Sequence, residues 1–330
     1  MAVTGTNLQP SRNSAAPTAA MAPRVSSAAI ADIINSTSLW RARDETAAAV
    51  LVARHEQARK YCDASGAEKV ASGYTTVSQP KQTQRTGGWC LGMMVSARLF
   101  GQERNVSVGA SSYRLPAAHV SADLVLLDGM RNITDSCRLS VNDFGAGVGQ
   151  YGHELQRDGC RWHGYDGAGD VEEYTNGFVR YVDLTMPLAL PRTDWVVSLE
   201  VGEHVPRVHE MALIRNLHAH NRCGVLLSWA CCHGGHQHVN LHSNRHIIDI
   251  FERLGYTYDI QRSEAMRNPR LRDRLRPTER ASRVYGWFAT SVMLFVRNET
   301  RAHCLPRGGV SPHGLLASDA IFKKYAPAVA

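Results

Sequence analysis

No run of roughly 18–20 uninterrupted apolar residues occurs in this 330-residue chain, so nothing in it reads as a membrane-spanning helix. No C-x-x-C pair occurs either. The eight cysteines, Cys62, Cys90, Cys137, Cys160, Cys223, Cys231, Cys232 and Cys304, lie scattered. That spacing excludes a zinc ribbon and outlines no disulfide framework, so free thiols in a reducing, cytoplasmic setting are expected. No secretory apolar core precedes the N-x-S/T sequons at Asn35, Asn105, Asn132 and Asn298, which are therefore read as chance. No internal repeat is found. No acid precedes Asp32, and the first thirty residues are rich in Ala, Ser and Pro. Residues 1–35 are expected to be a disordered tail, with an organelle transit segment as the alternative.

What is present suits a soluble globular protein long enough to bury one large domain plus an extension. The net charge of +7 permits an acidic partner such as nucleic acid without requiring one. "DETAAAVLVARHEQARKY", residues 44–61, reads as a helix with acids in its first turn and bases toward its end. "TGGWCLGMMVSARLFG" reads as a loop leading into a second helix, and "SADLVLLDGMRN" as a third helical piece. Residues 36–135 are thus expected to form a helical N-terminal extension, and residues 136–330 the main domain. From Leu139 onward, short apolar runs alternate with helical stretches, the pattern of a doubly wound, mainly parallel sheet. Ligands of such sheets bind beyond the carboxyl ends of the strands, where the motifs below all fall.

"NDFGAGVGQYG", residues 142–152, packs four glycines into one turn after an apolar run and an acid. Glycine is costly to order and contributes no packing, so the cluster marks a bend where backbone approaches something closely. Gly147, Gly149 and Gly152 spell G-x-G-x-x-G, the weak signature of a dinucleotide site. Asp143, Gly145, Gly147 and Gly149 spell an acid followed by G-x-G-x-G. On that second reading the segment resembles the class I S-adenosylmethionine-dependent methyltransferases, with a likeness spanning about Leu139 to Asn298.

The resemblance implies a Rossmann-like sheet of seven strands, the last antiparallel, and S-adenosylmethionine as cofactor. It implies that Asp166, at the end of "RWHGYD", meets the ribose hydroxyls, and that Asp183 lies near the adenine amino group. The glycines would clear space for the donor's methionine and ribose, with Asp143 beside them and Glu200 at the methionine end.

Glu200, Glu203 and His204 in "EVGEH" share one face if a helical turn begins there. A histidine-rich loop follows the next strand, with His233, His236, His238 and His242. Two carboxylates and an imidazole make a facial ligand set for a divalent ion. "EVGEH" also resembles the E-x-x-E-H segment of two metal-using subfamilies, the O-methyltransferases of ubiquinone biosynthesis and the small-RNA 3′-terminal 2′-O-methyltransferases. That likeness implies a metal held by Glu200, Glu203, His204 and His238, with Mn, Fe, Co or Zn suiting the mixed set better than Mg. The same residues offer the alternative of general-base catalysis by His238 or His204, with Glu203 beside them. "RNPRLRDRLRPTERASR", residues 267–283, would bind an acidic acceptor through Arg272, Arg274 and Arg276, or form a solvated face. It has no interleaved aromatics, which disfavours RNA.

The expectation is a methyltransferase acting on a small-molecule acceptor at oxygen or nitrogen, with no membrane partner. An RNA 2′-O-methyltransferase, an NAD-dependent dehydrogenase and an inactive donor-binding protein are the alternatives.

Overall fold

The computed structural model describes residues 26–36, 44–72, 86–91, 103–108, 111–116, 121–231, 237–268, 285–299 and 304. Arg272, Arg274, Arg276, His233 and His236 lie outside them, as does most of the 1–35 segment. The framework is a seven-stranded sheet. Its strands are β3 (Val141–Phe144), β4 (Trp162–Asp166), β5 (Val179–Tyr181), β6 (Thr193–Ser198), β7 (Asn221–Ser228), β8 (Tyr256–Tyr258) and β9 (Val292–Arg297). They lie in the order β5-β4-β3-β6-β7-β9-β8. The pairs from β5 through β7 are parallel, whereas β9 runs antiparallel to both its neighbours. This is the Rossmann-like methyltransferase fold that the resemblance implies. Strand β6, β7 from Cys223 onward and most of β9 are continuous buried runs, as strands covered on both faces must be.

Helices cover both faces, and a single short turn of helix, α5 (Val171–Tyr174), joins β4 to β5. On one side α3 (Leu124–Ile133), α4 (Gln150–Arg157) and α8 (Ile260–Arg267) bury Leu126, Leu127, Met130, Leu155 and Met266. On the other, α1 (Ser27–Ser36), α6 (Glu210–Ala219) and α7 (Asn244–Arg253) bury Ile33, Leu213, Leu217, Ile250 and Phe251. Asp123 caps α3 by accepting from Val125 N and Leu126 N at 3.1 and 3.0 Å, an interaction worth about 1 kcal/mol. Helix α3 is buried in the main core, so that core begins N-terminal to residue 136. The extension is not wholly helical. After α2 (Asp44–Ser72) comes an antiparallel hairpin of β1 (Glu103–Val108) and β2 (Ser111–Pro116), which was not read as strands although Val106 and Val108, then Tyr113 and Leu115, alternate with polar residues.

The reading of the cysteines as free thiols is corrected. Cys62–Cys90, Cys137–Cys160 and Cys223–Cys304 are disulfides, with Cα atoms 5.5, 4.3 and 5.3 Å apart, and among the described residues no cysteine is free. Topology makes these pairs where spacing could not show them. Cys137 follows α3 and Cys160 enters β4, while Cys223 lies on β7 and Cys304 follows its sheet neighbour β9. No described helix is long and apolar enough to cross a membrane.

Candidate functional site

The chain reverses its winding direction between β3 and β6, and a cavity of about 790 Å³ opens beyond their carboxyl ends. The glycine turn forms one edge. Gly145, Gly147 and Gly149 have φ of 82°, 56° and 76°, a left-handed region that side chains disfavour. Of the three, only Gly147 leaves room for a Cβ, which would stand in ordinary contact with Gln150 Oε1 at 3.5 Å. A Cβ at Gly145 would lie 2.1 Å from Val201 Cγ2, and one at Gly149 would lie 2.6 Å from Phe178 Cε1. Gly145 and Gly147 line the cavity, and Gly145 and Gly149 also make room for neighbouring side chains.

The three acids differ in setting. Asp166 lines the cavity and holds the turn, its Oδ2 accepting from Gly147 N and its Oδ1 from Ala168 N, both at 2.8 Å. Burial raises its pKa, against the pull of those N–H groups. Asp143 lies behind the turn, not on the cavity wall, and accepts from Trp162 Nε1 at 3.2 Å. Burial pushes its carboxyl up to about 7. Asp183 lines the cavity, but its carboxylate accepts from Thr185 N at 2.9 Å and faces Arg54 of α2 at 3.4 Å.

"EVGEH" forms a tight turn, not the helical turn expected, because Glu200 adopts φ 57°. The four residues expected to share an ion are therefore only partly united. Glu203, His204 and His238 offer ligand atoms within 4.8 Å of one another. Glu200 instead accepts from Ser228 Oγ at 2.7 Å. Two ligands at 2.0–2.3 Å from one ion stand about 4.6 Å apart at most, so the trio needs little movement to share one. Glu203 is fully buried, its carboxylate beside the Glu200 carboxyl, and burial followed by the charge of Glu200 raises its pKa well above the ordinary range. A buried carboxylate in that state calls for either a proton or a cation. His204 Nδ1 donates to Gln237 O at 3.3 Å, which leaves Nε2 as the lone-pair nitrogen. The His204 and His238 rings meet edge to face, 4.9 Å apart at 79°. These residues fit a divalent ion. His242 is not among them, being buried against Glu210.

Two further walls line the cavity: one from "TGGWCLGM", which the sequence suggests as a segment closing over the site with Trp89 as its apolar wall, and one from "VYGWF", which was not read as a lining. Thr86–Leu91 crosses the mouth so closely that a Cβ at Gly87 would lie 2.6 Å from His204 O and one at Gly88 would lie 2.2 Å from Gly167 O. Trp89 meets His204 edge to face at 4.9 Å, and the Cys62–Cys90 disulfide ties the segment to α2. Opposite, Tyr285 and Trp287 stack at 4.8 Å, with Tyr285 N bound to Asp123 Oδ2 at 2.8 Å. The cluster "VYGWF" was the available signal.

No family model and no curated protein matches the chain. Solved structures similar to it include a magnesium protoporphyrin IX methyltransferase from Synechocystis PCC 6803 with bound S-adenosylmethionine. That pair is 18% identical, covering 53% of this chain and 76% of the other, with a TM-score of 0.37. A glycopeptide N-methyltransferase complexed with S-adenosylmethionine is 12% identical, over 54% and 94% of the two chains, with a TM-score of 0.39. An amino pentose methyltransferase of calicheamicin biosynthesis from Micromonospora echinaspora is 13% identical, over 55% and 92%, with a TM-score of 0.37.

Proposed function

We propose that this chain, built on the class I methyltransferase fold, transfers a methyl group from S-adenosylmethionine to the oxygen or nitrogen of a small-molecule acceptor. One observation carries the reading. At the crevice between β3 and β6, a glycine turn held open by Asp166 faces a base-bearing turn across a single cavity. Asp166 accepts one N–H on each oxygen, and each oxygen retains capacity for a ribose hydroxyl. Asp183 and Glu200 flank the donor on either side, and Asp143 supports the turn from behind. The bound donor supplies a methyl group already activated by its sulfonium. The chain therefore has to align the acceptor, exclude water and take up a proton. Trp89 and the stacked Tyr285 and Trp287 wall off water. His204 Nε2 and His238 would take the acceptor's proton. Glu203, His204 and His238 would hold a divalent ion of the Mn, Fe, Co or Zn type, which when bound lowers the pKa of an acceptor hydroxyl.

The antiparallel β9 between β7 and β8 favours this reading over a dehydrogenase, whose dinucleotide fold needs no such strand. The disulfides favour an oxidising compartment over the cytoplasm. The test is calorimetry with S-adenosylhomocysteine. Binding is expected, and Asp166→Ala should weaken it by about 1.5–3 kcal/mol. No binding at millimolar ligand, together with stabilisation by NAD, would refute the proposal.

A further inference from the structure

Glu210 opens α6, far in sequence from the histidine loop, yet it is the residue on which that loop closes. It is 4% exposed. Its Oε2 accepts from His242 Nε2 at 2.5 Å and from Asn240 Nδ2 at 3.1 Å, and its Oε1 accepts from His246 Nε2 at 3.3 Å. Burial alone would raise its pKa, but the histidine hydrogen bonds outweigh that and hold it near 2. The carboxylate is therefore charged whenever the loop is closed.

A metal centre is the first thing such a Glu-His-His group suggests, and the ring geometry speaks against it. The His242 and His246 rings stack face to face, 4.0 Å apart at 12°. Their in-plane lone pairs run side by side and would meet one ion only off axis, and both Nε2 atoms are already engaged by Glu210. The His204 and His238 rings, at 79°, can converge on one.

What the group does hold is the backbone on either side of Asn240. Val239 N and Asn240 N both donate to Glu203 O, at 2.8 and 3.0 Å, and Asn240 O accepts from Trp229 Nε1 at 2.7 Å. His242 N donates to Ala230 O at 3.2 Å. His238 is the next residue along, immediately before this pinned stretch. We infer that Glu210 is a positioning residue: by clamping Asn240, His242 and His246 it fixes where the loop after β7 presents His238 to Glu203 and His204. This rests on reading those three as the chemistry-bearing set. It adds a residue that touches neither donor nor acceptor.

The test is Glu210→Gln in the full chain, which keeps the volume but sets an amide donor against groups that already donate. Hydrogen exchange at Val239 and Asn240 is expected to quicken by about tenfold or more while β6 and β7 stay protected. Mn²⁺ affinity, measured by calorimetry without donor, should fall by about 10–100-fold, the range for losing a group that orients a ligand. S-adenosylhomocysteine affinity should not change. His246→Leu, at a partly exposed position, removes only the longer arm and should give the same pattern at smaller size, which keeps the test open if Glu210→Gln does not fold. Wild-type exchange and Mn²⁺ affinity in a folded variant would overturn the inference, as would donor affinity falling in parallel. The exchange arm needs neither ion nor donor. It decides the clamp even if wild-type protein binds neither Mn²⁺ nor S-adenosylhomocysteine, a result that would overturn the methyl-transfer reading instead.

Discussion

Replacing Asp143 by Asn should make the protein more stable, and by an amount that grows with pH. Asp143 is 4% exposed and accepts from Trp162 Nε1 at 3.2 Å. Burial raises its pKa from 3.8 to about 7, against the Trp162 hydrogen bond and with some help from the charge of Asp166. Between those two values the native state binds a proton that the unfolded chain has released. Stability is therefore lost as pH rises from about 4 to 7, and then levels off. Asp143→Asn keeps an oxygen for Trp162 and carries no charge at any pH. Its advantage should grow by about 1.4 kcal/mol per pH unit through that window, to an upper limit of about 4 kcal/mol. Water entry at high pH will reduce this, so about 2 kcal/mol is expected between pH 5 and 7.5, or about 4–8 °C in Tm for a domain of this size. Urea unfolding of both proteins at pH 5, 6, 7 and 8 measures it. A difference that is flat across that range, or an Asn variant less stable at pH 8, would show that the carboxylate is ionised in the native state and that burial does not govern it.

Three other outcomes are expected. A Cβ at Gly202 would lie 2.3 Å from the fully buried Trp229 ring, so Gly202→Ala should cost about 1–3 kcal/mol by overpacking and weaken Mn²⁺ binding by displacing Glu203 and His204. Thermal melts and calorimetry on the variant check both effects. Because the Glu203 pKa is raised, Mn²⁺ has to displace a proton, so its affinity should rise with pH and its binding should release protons; pH-independent affinity would count against Glu203 as a ligand. Opening Cys62–Cys90 with reductant or Cys62→Ser should cost up to about 3–4 kcal/mol for a link spanning 28 residues. It should also weaken S-adenosylhomocysteine binding, since Trp89 loses its anchor; calorimetry before and after reduction decides it.

Much of this molecule is legible in its sequence because its central strands are buried on both faces. "DWVVS", "GVLLS" and "VMLFV" read as strands because they are short, apolar and alternate with helical stretches, and the motifs at their ends followed. Three features were not legible, for separate physical reasons. The helical reading of "EVGEH" assumed right-handed backbone throughout, whereas Glu200 is left-handed at φ 57°, a conformation that nothing in a glutamate announces. The disulfides join residues 28, 23 and 81 positions apart, and such separations become neighbours only after the strand order is set. Glu210 looks from sequence like an acid favouring a helix N-terminus, and it is one. Its second role exists only because α6 and the loop after β7 meet behind the site, 32 residues apart in the chain. The residues proposed to act on a ligand sit in strand-end motifs with local spacing. Residues that hold those motifs in place are drawn from wherever the fold brings a partner, so they have no spacing to find.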